Sequence, residues 1–302
     1  MANNISVQWI DTTHEMYLEV AKKTNLVKPV DDLHSNVKDS IKNIIGDSSY
    51  QDMILVNTLL NITKHWGIHL TDTPVNKRPE ENELKVLDCY KKNQEKTWNE
   101  LDLHRKLELI WAKKVFEWVV DDTYFDYTEA KNKFPDLVTL KEKNVSLRVR
   151  SKLDTDWNYK MYYTLKKKKT KESEDEKSRI CFETEFEISN HQLAIENLIW
   201  NWLNAYRRKF KLRESYILWN SNNTVDIDTY VDINWNPIIL PFLEFEVEDT
   251  KDAYDLIQLF NLTWESNKIL TCGSRWLFKH EWVDYDTMSN SKWIILPKKS
   301  KK

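Results

Sequence analysis

The sequence predicts an α+β fold in which eight extended segments close into a small antiparallel β-barrel with flanking helices, preceded by a helical N-terminal segment. Two observations carry this. From about residue 81 onward, segments rich in Val, Ile, Phe, Tyr and Trp recur, as strands do. Within them, charged and apolar residues alternate strictly, so each strand has one charged and one apolar face.

The strands are expected at 81–88, 116–127, 145–152, 159–168, 179–188, 209–219, 225–233 and 239–248. Helical stretches are expected at about 97–114, 191–206 and 251–260. Upstream, apolar residues at helical spacing mark 30–45 and 51–66, and the prolines at 74 and 79 forbid a continuing helix between them and the first strand. The domain division is therefore a helical region over 1–74, a tunnel-like domain over 75–275, and a C-terminal extension over 276–302 that ends in a basic tail. The run KKKKTKESEDEK, 166–177, reads as a solvated hairpin tip.

Composition narrows the chemistry. At 302 residues with 41% hydrophobic and 31% charged content, the chain can bury a core. No apolar run is long enough to cross a bilayer and no signal-peptide pattern opens the chain, so a cytoplasmic protein with no membrane partner is expected. The three cysteines, Cys89, Cys181 and Cys272, form no metal-binding or redox spacing. Only Gly46, Gly67 and Gly273 are glycine, which excludes the glycine-rich phosphate loops, so any phosphate must be held by side chains. The pair His65 and His69 lacks the glutamate of a zinc-protease helix. The 14 tryptophans are read as core residues by default.

The alternating charges are the distinctive signal. Glu183, Glu185 and Glu187 share one strand face, as do Glu244, Glu246 and Glu248. Glu81, Glu83 and Lys85 align, as do Arg148 with Arg150, and Asp226 with Asp228. Lys209, Lys211 and Arg213 make a purely cationic face, and Lys166 lies opposite Leu165. A single amphipathic strand of this kind is ordinarily a solvated one. Seven together, several of a single sign, are better explained by faces that curl around a shared interior, where carboxylates meet cations, metal and a polyanion. Glu183 and Glu248, at strand ends, are expected in solvent.

Taken in order, ENELK, the segment DDTYFDYTEAKNKFPDLVTLKEKNVSLRVR, YYTLK, ICFETEFEI, KFKLRESY, VDIDTY and FLEFEVE resemble the strand motifs of CYTH domains in the triphosphate tunnel metalloenzyme superfamily, over about 81–273. Asn144 stands where that family commonly has glycine, and Tyr127 replaces its usual threonine. The resemblance implies a tunnel that binds a triphosphate with Mg²⁺ or Mn²⁺. It implies phosphate contacts from Arg148, Arg150, Lys166, Lys211 and Arg213, metal ligation by Glu185, Glu187, Asp228, Glu244 and Glu246, and a catalytic group of Glu81, Glu83 and Lys85. For Asp228 a structural salt bridge stands as an equal alternative. The implied reaction is hydrolysis of the terminal phosphoanhydride of inorganic triphosphate, a nucleoside triphosphate, thiamine triphosphate or an RNA 5′ end. A nucleotidyl cyclase and a non-catalytic nucleotide or polyphosphate sensor are the alternatives. Arg78, Pro79 and Glu80 differ from the lead-in of the class IV cyclases, which favours hydrolysis. A protein partner would use residues 1–74.

Overall fold

In a computed structural model of the chain, the residues described are 39, 80–87, 100–168, 179–218, 221–260, 262, 269–270 and 274–285. The helical readings over 30–45 and 51–66, the proline linker and the basic tail lie outside them, save for a helical Asp39.

All eight expected strands are present, in the order β1 (Glu80–Val86), β2 (Lys113–Asp126), β3 (Val145–Asp154), β4 (Tyr159–Lys168), β5 (Arg179–Ile188), β6 (Asn204–Ile217), β7 (Thr224–Val231) and β8 (Phe242–Val247). A two-residue β9 (Ile269–Leu270) adds to β1. The helices are α1 (Glu100–Leu109), α2 (Thr128–Lys133), α3 (His191–Trp200), α4 (Thr250–Leu259) and α5 (Ser274–His280). Of these, α2 and α5 were not expected. Asn190 caps α3 by accepting from the Leu193 amide, and Asp249 caps α4 by accepting from the Lys251 amide, so both helices start where a side chain satisfies an orphan N–H. Among the described residues no helix is long and apolar enough to cross a membrane.

The strands form one antiparallel sheet in the order β5-β4-β3-β2-β6-β7-β8-β1-β9. Its curl is strong enough that β5 also pairs with β1, Glu80–Glu83 running against Arg179–Phe182. That seam is the shortest junction between the eight main strands, so the expectation of a closed barrel is met in part: a strongly curled sheet whose edges meet over four residue pairs.

The apolar faces point outward and are covered. Leu147, Val149, Tyr163, Leu165, Phe186 and Ile188 pack against Ala194, Ile195 and Leu198 of α3. Leu84, Val86, Val225, Leu243, Phe245 and Val247 pack under α1 and α4, whereas Tyr230 and Phe242, on the parity of Asp228 and Glu244, pack with Ile239 against Leu277 and Phe278 of α5 at one end of the inner face. Both faces of most strands are therefore buried, the inner one with charges.

The tryptophans depart from the core reading. Trp111, Trp157, Trp235 and Trp282 are 76%, 73%, 50% and 96% exposed. These four, with Trp118, Trp202 and Asn144, have positive φ. A residue with a Cβ pays about 1–2 kcal/mol in the left-handed region.

Phe245 is fully buried, its ring centroid 5.8 Å from that of Phe260, the residue after α4, in a tilted pair. Phe245→Ala is expected to cost about 3–5 kcal/mol, read as a lower denaturation midpoint in urea with an unchanged slope.

Candidate active site inside the curled sheet

The inner face gathers the alternating residues into one buried cluster of charges, most of them ion-paired. Glu83, Lys85, Asp122, Arg148, Arg150, Glu183, Glu185, Lys209, Lys211, Arg213, Asp226, Asp228 and Glu244 are each 9% exposed or less. Parity puts them inside, because β-strand side chains alternate and the odd or even set is fixed once the apolar set faces the helices.

One side of the network is built by β2 to β5. Arg150 forms a fork onto Asp122, with Nε 2.8 Å from Oδ1 and an Nη 3.3 Å from Oδ2, and reaches Glu185 at 3.0 Å. Arg148 reaches Glu183 at 3.2 Å, and Thr164 donates its hydroxyl to Glu185 at 3.0 Å. Lys166 bridges Glu183, at 2.7 Å, and Glu83 of β1. Register brings these together: Arg150 pairs with Asp122 across β2 and β3, and Thr164 with Glu185 across β4 and β5.

The other side is built by β6, β7, β8 and β1. Arg213 holds Asp228 through two bonds of 2.6 and 2.7 Å, reaches Glu244 at 2.8 Å, and also pairs with Asp226. Lys211 lies 2.6 Å from Asp228, and Lys85 pairs with Glu244. Glu83, Glu244 and Glu246 bring carboxylate oxygens within 4.8 Å of one another, Glu246 half-buried. Three convergent hard oxygen donors suit Mg²⁺ or Mn²⁺, so these residues fit a divalent metal. Like charges gathered in a buried site also need a cation nearby, which Lys85 and Lys166 supply in part.

The titrations follow from this packing. Burial pushes Asp122 and Glu183 up, but the cations overcome it: Arg148 and Arg150 hold Asp122, and Lys166 and Arg148 hold Glu183, well below the usual carboxylate range. Burial, followed by the Arg213 guanidinium, pushes Lys211 down, with Asp228 opposing. Asp228 stays ionised because Arg213, which does not deprotonate, holds it from two nitrogens.

The residues named from sequence are placed as follows. Glu83 and Lys85 lie in the network, Glu81 lies in β1 opposite Cys181, and Glu187 is half-buried near Tyr162. Arg148, Arg150, Lys166, Lys211 and Arg213 all face one interior. Glu185 and Asp228 are ion-paired to arginines, while Glu244 and Glu246 join Glu83. Glu248 is exposed, as expected. Glu183 is a correction: it is buried rather than in solvent, because β4 and β1 flank its strand and supply Lys166. Asp122 was missed altogether. Its signal was present as an acidic residue in the β2 segment on the parity that faces Arg150, but β2 shows no clean charge alternation.

Lys209 was aligned with the cations but not assigned. It is buried among phenols, its ammonium 5.0, 5.2 and 6.0 Å from the rings of Tyr124, Tyr285 and Tyr230 and 3.0 Å from the Ser274 hydroxyl. Arg207 adds a second cation, 2.9 Å from the Tyr285 hydroxyl. Burial raises Tyr285, yet Lys209 and Arg207 bring it down to about 8. Segment 274–285 thus completes one end of the interior.

Asp122→Asn leaves Arg148 and Arg150 short of their shared carboxylate and is expected to cost about 3–5 kcal/mol at neutral pH. Because the Asp122 pKa is depressed on folding, its contribution is full above the unfolded carboxylate value of about 4 and is lost as pH falls below it. Denaturation measured from pH 7 down to pH 2 therefore shows a shallower acid loss in the variant than in the wild type.

No protein-family model and no curated protein matches the chain. Among solved structures it is similar to the PH1012 protein of Pyrococcus horikoshii, at 24% identity and TM-score 0.43, over 62% of this chain and 93% of that one. It is similar to a conserved hypothetical protein of Pyrococcus furiosus, at 19% and 0.42, over 62% and 94%. It is also similar to a protein of Vibrio parahaemolyticus described as an adenylate cyclase candidate, at 18% and 0.40, over 62% and 91%. At this distance they are likenesses alone, and the site stands on its own residues.

Proposed function

We propose that the curled sheet closes as a tunnel that binds a triphosphate with Mg²⁺ or Mn²⁺ and hydrolyses its terminal phosphoanhydride. The observation that carries this is the buried network itself. Buried ion pairs are commonly no more stabilising than apolar residues of the same volume, so an interior made of them is retained for what it binds. A triphosphate brings about three to four negative charges, and the arginines and lysines that face the interior match it in sign and number.

In this reading Arg148, Arg150 and Arg213 clamp phosphate oxygens through paired N–H groups, and Lys166 and Lys211 act as point charges. Entry of the ligand loosens the internal pairs, which frees Glu83, Glu244 and Glu246 to hold a divalent ion. Glu185, Glu187 and Asp228 complete the acidic set, either as further ligands or by orienting the arginines. When bound, the ion supplies neutralisation of charge that develops on the phosphate oxygens. Water adds to the terminal phosphorus, the bridging bond breaks, and orthophosphate and the shortened phosphate leave. Glu81, Glu83 and Lys85 belong to β1, the strand that closes the seam; Glu83 pairs with Lys166 and Lys85 with Glu244.

The test is orthophosphate release with Mg²⁺ and with Mn²⁺, on inorganic triphosphate, ATP, GTP, thiamine triphosphate and a triphosphorylated RNA. Glu244→Gln and Glu246→Gln keep side-chain volume and remove a ligand charge, and each is expected to lower turnover by about 10- to 100-fold. Cyclic nucleotide with pyrophosphate as the products would make the protein a cyclase. Triphosphate binding without turnover on any substrate would make it a sensor.

A further inference from the structure

The left-handed positions are not scattered. Trp111, Trp202 and Trp282, with φ of 57°, 71° and 58°, each follow the end of a helix. Each end carries the same pair of bonds. After α1, Ala112 N–H donates to Leu107 C=O at 2.9 Å and Trp111 to Glu108 at 3.0 Å. After α3, Leu203 donates to Leu198 and Trp202 to Ile199, both at 3.1 Å; after α5, Val283 donates to Phe278 at 3.0 Å and Trp282 to Lys279 at 3.3 Å. This is the helix stop whose central residue is ordinarily glycine, sometimes asparagine. The same bonds recur at Asn144, where Val145 donates to Leu140 and Asn144 to Lys141.

Two loops repeat a second device. In DTDWN, Asp154 Oδ1 accepts from the Asp156 and Asn158 amides, Trp157 N–H donates to Asp154 C=O at 3.0 Å, and Trp157 has φ 64°. In DINWN, Asp232 Oδ1 accepts from Asn234 and Asn236, Trp235 donates to Asp232 at 3.0 Å, and Trp235 has φ 67°. Turns of this kind place glycine at the left-handed residue. Trp118, inside β2, has φ 132°, a region that glycine alone enters readily.

Strain kept for function gathers at the site it serves. Trp118 stands opposite Arg213 in register, but four of the others are half or more exposed, on helix ends and loop tips outside the charged interior. The whole chain has 3 glycines against 14 tryptophans, whereas glycine usually makes up about 7% of a protein. Tryptophan's UGG, and the UGA that some cells read as tryptophan, differ from glycine's GGG and GGA only in the first base.

We propose that positions 111, 118, 157, 202, 235 and 282 are glycine in the protein as its own cell makes it, the codon rendered here as tryptophan being decoded there as glycine. The loops at 154–158 and 232–236 then present bare turns rather than aromatic platforms. This holds whatever reaction the interior performs. Peptide mass spectrometry of the protein purified from its source cells is expected to find glycine at all six positions, and tryptophan there overturns the proposal. Independently, Trp→Gly at each of the six in the recombinant chain is expected to raise Tm by about 2–4 °C. Trp200→Gly, in the last turn of α3, is expected to lower it. An unchanged or lowered Tm at the six positions likewise overturns the proposal.

Discussion

Arg213 held between Asp226, Asp228 and Glu244 is the contact on which the inner architecture turns. It joins β6, β7 and β8, and through Glu244 it meets Lys85 of β1, the strand that brings the edges of the sheet together. A guanidinium cannot shed its proton to escape burial, so three carboxylates must stay close to it. Around the curve, Arg150 with Asp122 and Glu185, and Lys166 with Glu83 and Glu183, repeat the arrangement. The interior is thus a set of mutually required charges, in which removal of one strands another.

That interior inverts the usual economy of a small barrel. The hydrophobic driving force comes mainly from the outer face, where α1, α3 and α4 cover the apolar rows, while most of the inner face is left to polar work. Stability and binding are therefore carried by opposite faces of the same strands. A change such as a larger or smaller apolar residue under α3 acts on folding, and a change at the next residue of the strand, on its opposite face, acts on the site.

Within the interior the charges are not uniform. Acidic groups converge where β1 and β8 meet, at Glu83, Glu244 and Glu246. At the end completed by segment 274–285, Lys209 and Arg207 sit among the phenols of Tyr124, Tyr230 and Tyr285. The interior therefore offers two kinds of surface, one acidic and suited to a cation, the other cationic and suited to an anion.

The sequence by itself determined the strands and their faces. ETEFE, LEFEVE, LRVR and KFKLR carry a period of two, a local property that survives without knowledge of neighbours. It also determined the order of the charged motifs and hence the expectation of a shared interior. Only the tertiary structure decided which charge meets which. Arg148 with Glu183, Lys166 with Glu83, and Arg213 with Glu244 are separated by 35, 83 and 31 residues, and their pairing depends on register and curl. Asp122 stayed hidden because β2 mixes acids with aromatics, and Glu183 was misjudged because nothing local says that β1 returns to cover it. The left-handed tryptophans were invisible for the same reason: a helix stop or a tight turn is a backbone geometry, and the chain shows it only once the φ angles and their hydrogen bonds are fixed.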